Sequence, residues 1–324
     1  MRKRVLLLSF CISPFMLAST STSEEVEELP PESEKVIAFE VGYYGLWRES
    51  LSNLEFLYTI YPNGATNQTV YPKLDYGYAP GIRALGEVNI GPKNTIEAIY
   101  IGCFNWRDSG SAADQNSLMV STRPFVTIDW ARFSNFQYHY HAKLNSGELS
   151  YWRHMTPRYT DWFSFSWMLG ARYIDLRDQL KMMIGTGSRT DNGHVKVVNQ
   201  MWGGQGGLEF QVTAIPWLTW ALQTKGGIFA DLIKKKSLFK DLGNTAIPVS
   251  TTNKSVKPDY TLEFTPYIIG RLSPFYCRIA YNWMVLYNPV LAPSQVKLHK
   301  KVNHNYTHKH VYFQGFYVDV GFSW

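Results

Sequence analysis

Cysteine is nearly missing from this chain, with three in 324 residues. That is too few for the dense disulfide framework that lets a small secreted fold do without a core. Charge is scarce as well: charged residues make up 18% of the sequence, which excludes a disordered or coiled-coil protein. Beyond the N-terminus no apolar run of about 18 residues occurs, so no membrane-spanning helix is expected. Aromatic residues, in contrast, reach 15%, with 11 Trp, 21 Tyr and 18 Phe, beside 24 Gly. The choice narrows to a β-rich globular protein or a membrane β-barrel.

The N-terminus sets the compartment. Arg2, Lys3 and Arg4 precede an apolar stretch over residues 5–17 and then the small residues Ala18, Ser19, Thr20 and Ser21. This is the three-part layout of a secretory signal peptide, expected over residues 1–23. Cys11 does not make a lipoprotein box, because bulky Phe10 stands before it. Residues 24–35 follow as an acidic tether, with Glu24, Glu25, Glu27, Glu28, Glu32 and Glu34 broken by Pro30 and Pro31. Residues 36–324 are the folded domain. Export and the modest formal charge of +6 argue against a nucleic-acid partner. Cys103 and Cys277 would meet an oxidising compartment, and sequence leaves open whether they bridge or serve as small strand residues.

A period of two runs through this domain. A membrane-spanning strand needs about ten residues, apolar toward lipid and small or polar toward the lumen. Residues 163–173 fit: Phe163, Phe165, Trp167, Leu169, Ala171 and Tyr173 would face out, with Ser164, Ser166, Gly170 and Arg172 inside. Phe136, Tyr138, Tyr140 and Ala142 would face out against Gln137, His139, His141 and Lys143. Residues 126–131, 208–213 and 277–285 alternate too, and further strands begin near Ile37, Ile82, Ile96, Leu218 and Leu262. Turn chemistry is found at Pro62-Asn63-Gly64, Asp108-Ser109-Gly110, Asn145-Ser146-Gly147, Asp191-Asn192-Gly193 and Leu242-Gly243-Asn244. At about 24 residues per strand and connection, the domain yields roughly 12 strands, give or take two, in an all-β, closed antiparallel barrel. The region 51–78 reads either as a strand pair or as an inward-folded constriction loop.

A soluble β-sandwich alternates in the same way, so the aromatic residues help decide. Trp130, Trp162, Trp220, Tyr276 and Trp324 fall near expected strand ends, where interfacial girdles lie. The last strand is the most specific feature. Phe316, Val318, Val320, Phe322 and Trp324 occupy every second position, resembling the C-terminal signal of outer-membrane barrels that the assembly machinery reads, with Trp in place of the usual Phe.

The order of several further segments resembles the β-barrel porin family of Gram-negative-type outer membranes. These are Ala79-Pro80-Gly81-Ile82-Arg83 leading into 95–106, Ser146-Gly147-Glu148-Leu149, Gly170-Ala171-Arg172-Tyr173-Ile174-Asp175-Leu176, Asn199 through Gly203, Gln205 and Gly207, and the closing strand 311–324. The resemblance implies an outer-membrane pore of unassigned solute, and it carries over no catalytic residue.

On the faces assigned to the interior stand Arg83, Glu87, Arg172, Glu209, Gln211, Glu263, Arg271 and Arg278. In a water-filled channel they would set the local field, and the excess of Arg suggests a mild anion preference. A register slip of one residue would turn each outward. The Gly-rich run 203–207 reads as a coiled strand, since no helix follows to make it a phosphate loop. His139 and His141 with Asp129 could form a catalytic pair, but no serine motif accompanies them. His299, His304, His308 and His310 lie in a basic loop too irregular for a metal site. Lys234, Lys235, Lys236 and Lys240 could meet anionic lipopolysaccharide groups.

The expected function is passive diffusion of small hydrophilic solutes through an outer-membrane porin, monomeric or oligomeric, with no cofactor or metal. Expected partners are outer-membrane lipid, lipopolysaccharide and the barrel assembly machinery. The alternative is a structural or adhesive barrel with a plugged lumen and partner-binding loops. An outer-membrane hydrolase stands third.

Overall fold

The computed structural model describes residues 37–49, 57–60, 66–70, 74, 76–119, 132–155, 162–186, 189–240, 249–293 and 310–324. The expected signal peptide and acidic tether, Trp130, Asp129, the strand expected at 126–131 and most of the His-rich loop lie outside them. Twelve strands follow in chain order: β1 (Ile37–Arg48), β2 (Leu57–Ile60), β3 (Thr66–Val70), β4 (Tyr78–Asn89), β5 (Asn94–Met119), β6 (Arg132–His154), β7 (Phe163–Thr186), β8 (Arg189–Ile215), β9 (Leu218–Lys240), β10 (Val249–Leu272), β11 (Phe275–Tyr287) and β12 (His310–Ser323). All pairings are antiparallel. β12 returns to β1, β1 pairs β4, and β5 pairs β6, so every strand except β2 and β3 joins one closed ring. The barrel therefore has ten strands, slightly below the expected number, because β2 and β3 form a hairpin docked on the far end of β5. Region 51–78 is thus partly a strand pair, and Leu74 and Tyr76 beyond it pack inward.

One end of the barrel carries tight connections, at residues 90–93, 216–217 and 273–274, together with Ile37 and Trp324. The other end carries the longer ones, apart from the short link 187–188 between β7 and β8. On β7 the lipid-type alternation holds from Phe163 to Tyr173, with Ser164, Ser166 and Arg172 buried inside as expected. Above Tyr173 it inverts. Arg177 and Lys181 now face out, and Ile174, Leu176, Leu180 and Met182 are buried within. β8 repeats the change, with Trp202, Leu208, Phe210 and Val212 outward in its lower part and Val195, Val197 and Met201 inward in its upper part. The barrel has two tiers. The lower has an apolar coat about as tall as the hydrocarbon layer and a polar interior. The upper is built like a water-soluble protein, polar outside and apolar within.

This inversion corrects the expected facing of 136–142. Phe136, Tyr138, Tyr140 and Ala142 are buried inside, while Gln137, His139 and Lys143 are exposed outside. The outer face of this tier is polar, so the apolar set turns inward. Three expected turns vanish for the same reason. Asp108-Ser109-Gly110, Asn145-Ser146-Gly147 and Asp191-Asn192-Gly193 run straight through β5, β6 and β8. Their polar side chains suit a strand whose outer face meets water or whose inner face meets other polar groups. Along β5 the switch of facing needs a β-bulge, where the register with β6 slips between Ile101 and Phe104 and Cys103 adopts a φ of 69°. Cys103 and Cys277 are both free and exposed.

Aromatic side chains ring both edges of the lower tier. Trp162, Trp220 and Trp324 are exposed near the tight-turn end, with Trp324 beside Phe39 and Phe322. Tyr173 packs on Trp202 at 4.2 Å and Trp47 on Tyr78 at 4.7 Å at the other edge. Tyr276 does not belong to the girdle. It alternates with outward Phe275 and Cys277, so its ring turns inward, half-buried above Gly321. The closing strand keeps its expected facing, with Phe316, Val320, Phe322 and Trp324 outward and Tyr317 and Asp319 buried. Among the described residues no helix is long and apolar enough to cross a membrane.

Candidate functional site

Closing ten strands leaves an interior little wider than that of an eight-stranded barrel, which side chains just fill. Here they do fill it. In the lower tier two ion-pair groups cross the interior. In the first, Glu40 on β1 accepts from Arg83 on β4 at 3.1 Å and from Arg278 on β11 at 2.7 Å, and Arg83 also pairs with Asp319 on β12. Gly42 makes this packing possible, because a Cβ there would strike Asp319 and the Val318 carbonyl. Arg83 and Arg278 lie over the rings of Tyr317 and Tyr267.

In the second group Arg172 on β7 meets Glu263 on β10 at 2.6 Å and Glu148 on β6 at 3.2 Å, and its Nε donates to Ser146 Oγ. Lys225 on β9 reaches the other oxygen of Glu148 at 2.8 Å, and Gln205 donates to the same oxygen at 2.9 Å. Tyr267 donates to Glu209 at 2.6 Å, and so does Gln211. Charges removed from water in this way hold their places only when paired or hydrogen-bonded; the members of the two groups are paired, and Glu209 is held by neutral donors.

The upper tier is filled by a core that includes Phe104, Trp106, Phe136, Leu176, Val197 and Phe313. Among the described residues one ion pair sits inside it. Arg48 meets Asp178 at 2.9 Å, Tyr140 donates to Asp178 at 2.6 Å, and Tyr76 stacks under the guanidinium at 4.5 Å. Beyond β11 the chain dips into the barrel. Leu291 and Ala292 are buried, Asn199 holds Val290 through hydrogen bonds of 2.8 and 3.0 Å, and Lys257 donates to the Asn288 carbonyl.

The structure places the lumen candidates as follows. Arg83, Arg172, Glu209, Gln211, Glu263 and Arg278 are buried on the inner face, and half-buried Glu87 and Arg271 share it, Arg271 donating to Thr219 at 2.7 Å. Sequence reasoning missed their partners. Glu40 sits between outward Phe39 and Val41 in a strand begun at Ile37, so the alternation already marked it. Glu148 was hidden because Asn145-Ser146-Gly147 reads as a turn. Lys225 gave no local signal, and neither did Arg48 and Asp178. Gly203 approaches β9 so closely that a Cβ would strike the Ile228 carbonyl. His139 and His141 lie on the outer face of the upper tier, where the His141 ring meets Asn105 Oδ1 at 2.5 Å. Burial together with nearby Lys143, Arg107 and Lys181 pushes the His141 pKa below the usual histidine range. Among the described residues no group of His, Cys, Asp and Glu could hold a metal.

No family model matches the sequence, and neither does any curated protein. Solved structures do match. The outer-membrane protease OmpT of Escherichia coli is 11% identical, with 92% of this chain and 99% of that one covered and a TM-score of 0.43. The translocator domain of the autotransporter NalP of Neisseria meningitidis is 12% identical over 90% and 88%, with a TM-score of 0.35. The outer-membrane protein OprG of Pseudomonas aeruginosa is 10% identical over 88% and 95%, with a TM-score of 0.31.

Proposed function

We propose that this chain is an outer-membrane barrel whose lumen is closed at rest and whose working surface is the tall upper tier that it holds above the bilayer. The lower tier anchors it: its apolar coat suits lipid, and ring closure leaves no strand edge unpaired there. The single observation that carries the reading is the filled interior. The lumen side chains that would border water in a standing pore are instead buried against one another, and an apolar core lies above them. Strands β5 to β10 run more than twice the length a bilayer needs, so a wall projects outward for binding.

Solute passage is the second reading, favoured by the polar interior of the lower tier. It requires that both layers open. The mild anion preference loses its basis in the closed form, because every buried Arg of the lower tier is matched by carboxylates.

Planar-bilayer recording on the purified, refolded protein is the test. The closed-barrel reading expects no stepwise conductance at moderate voltage. Regular steps in repeated preparations would overturn it in favour of diffusion.

A further inference from the structure

The outer face of the upper tier carries an arrangement that a strand ladder ordinarily avoids. Side chains directly opposite each other on one face interact, and like charges there are destabilising. Yet Lys143 on β6 stands opposite Arg177 on β7, Lys196 on β8 opposite Lys236 on β9, and Lys234 on β9 opposite Lys254 on β10. All are exposed. Arg107 on β5 and Lys181 on β7 extend the same surface and, with Asp108, His139, His141 and Gln179 among others, line a pocket of about 520 Å³. Two carboxylates described at this wall are already engaged: Asp175 by Arg177 at 2.6 Å, and Asp108, which lines the pocket, by the Tyr138 hydroxyl.

Height tells what such a surface would meet. At about 3.3 Å per residue and a strand tilt near 40°, these cations stand roughly 30 to 45 Å above the tight-turn end. The apolar coat of such a barrel ends at about 25 Å. The cations thus begin just above the aromatic edge marked by Tyr173 and Trp202 and continue upward. That is where a lipid's phosphates and charged sugars lie, not its acyl chains.

We propose that this wall binds a phosphorylated glycolipid of the outer leaflet, its phosphates bridging the opposed cations and its sugars filling the pocket. The apposed charges are then an anion site rather than a fault, since a phosphate between two cations turns mutual repulsion into paired, charge-assisted hydrogen bonds. The inference rests on the membrane placement above and adds a ligand to it.

The test uses the full chain in phosphatidylcholine nanodiscs with added bisphosphorylated lipid A, monitored by native mass spectrometry. The wild type should retain bisphosphorylated lipid A in preference to its dephosphorylated form, and less so as salt rises. Equal retention of the two forms would overturn the proposal without any variant. Substituting Arg107→Gln, Lys196→Gln, Lys234→Gln and Lys236→Gln together should weaken retention by about tenfold or more, the worth of one lost charged contact. Lys93→Gln at the opposite end should leave it unchanged. Undiminished retention in the fourfold variant would also overturn the proposal, as would displacement of the lipid by low-millimolar inorganic phosphate. Recovery of the wild type as a compact species without detergent is scored separately, because it would remove the membrane reading itself.

Discussion

Arg172 and Glu263 are ninety-one residues apart in the chain and 2.6 Å apart across the barrel. β7 and β10 do not pair, so this contact is made through the interior and exists only in the closed ring. It joins the strands near the top of the lower tier, just under the edge marked by Tyr173, and Glu148 and Lys225 tie the same group to β6 and β9.

Breaking this pair from one side should therefore be costly. Arg172→Met leaves Glu263 buried without its partner and should lower stability by about 3 kcal/mol. Arg172→Met with Glu263→Leu should recover much of that. Urea midpoints in detergent micelles measure both, and a double variant worse than the sum of the singles would refute the pairing.

The upper core should behave as the core of a soluble protein. Phe313 is fully buried and packs on Trp106 at 5.7 Å. Phe313→Ala should cost about 3 to 5 kcal/mol by the same urea assay. A loss under about 1 kcal/mol would mean that the upper interior is not packed as described.

The boundary between tiers is open to a paired test on β7. Leu169 is 60% exposed on the apolar coat, and Leu169→Arg should cost about 2 to 4 kcal/mol in lipid. Lys181→Leu, on the same face of β7 but farther along the strand than Tyr173 and beyond the coat, should change stability little. Equal costs at the two positions would erase the boundary.

His141 provides a pH test outside the bilayer. Its pKa is lowered, first by burial and then by Lys143, Arg107 and Lys181. The folded state therefore holds fewer protons than the unfolded chain as the pH falls through the ordinary histidine range, and stability drops on acidification there, with no change above it. NMR titration should find the ring neutral below that range, and Lys143→Gln should raise its midpoint. A midpoint at or above the free-histidine value would contradict the placement.

The period of two was readable where one medium lay outside, as in residues 163–173. It misled at 136–142, because the rule that apolar means outward holds only at bilayer depth, and depth is not written in a strand's own alternation. Asn145-Ser146-Gly147 misled in a related way, since local turn chemistry is overridden when neighbours supply a full hydrogen-bond ladder on both sides. Tyr276 was assigned by its nearness to a strand end, whereas its parity with Phe275 and Cys277 would have turned it inward.

By itself the sequence determined an antiparallel barrel with an apolar coat and the inward facing of residues such as Arg83, Arg172 and Glu263, because side-chain direction along a strand follows from position alone. Only the tertiary structure decided that these charges pair with one another and that an apolar core closes the upper end. Which inward residues meet depends on the number of strands, their shear and their height relative to the membrane, and those are properties of the closed ring as a whole.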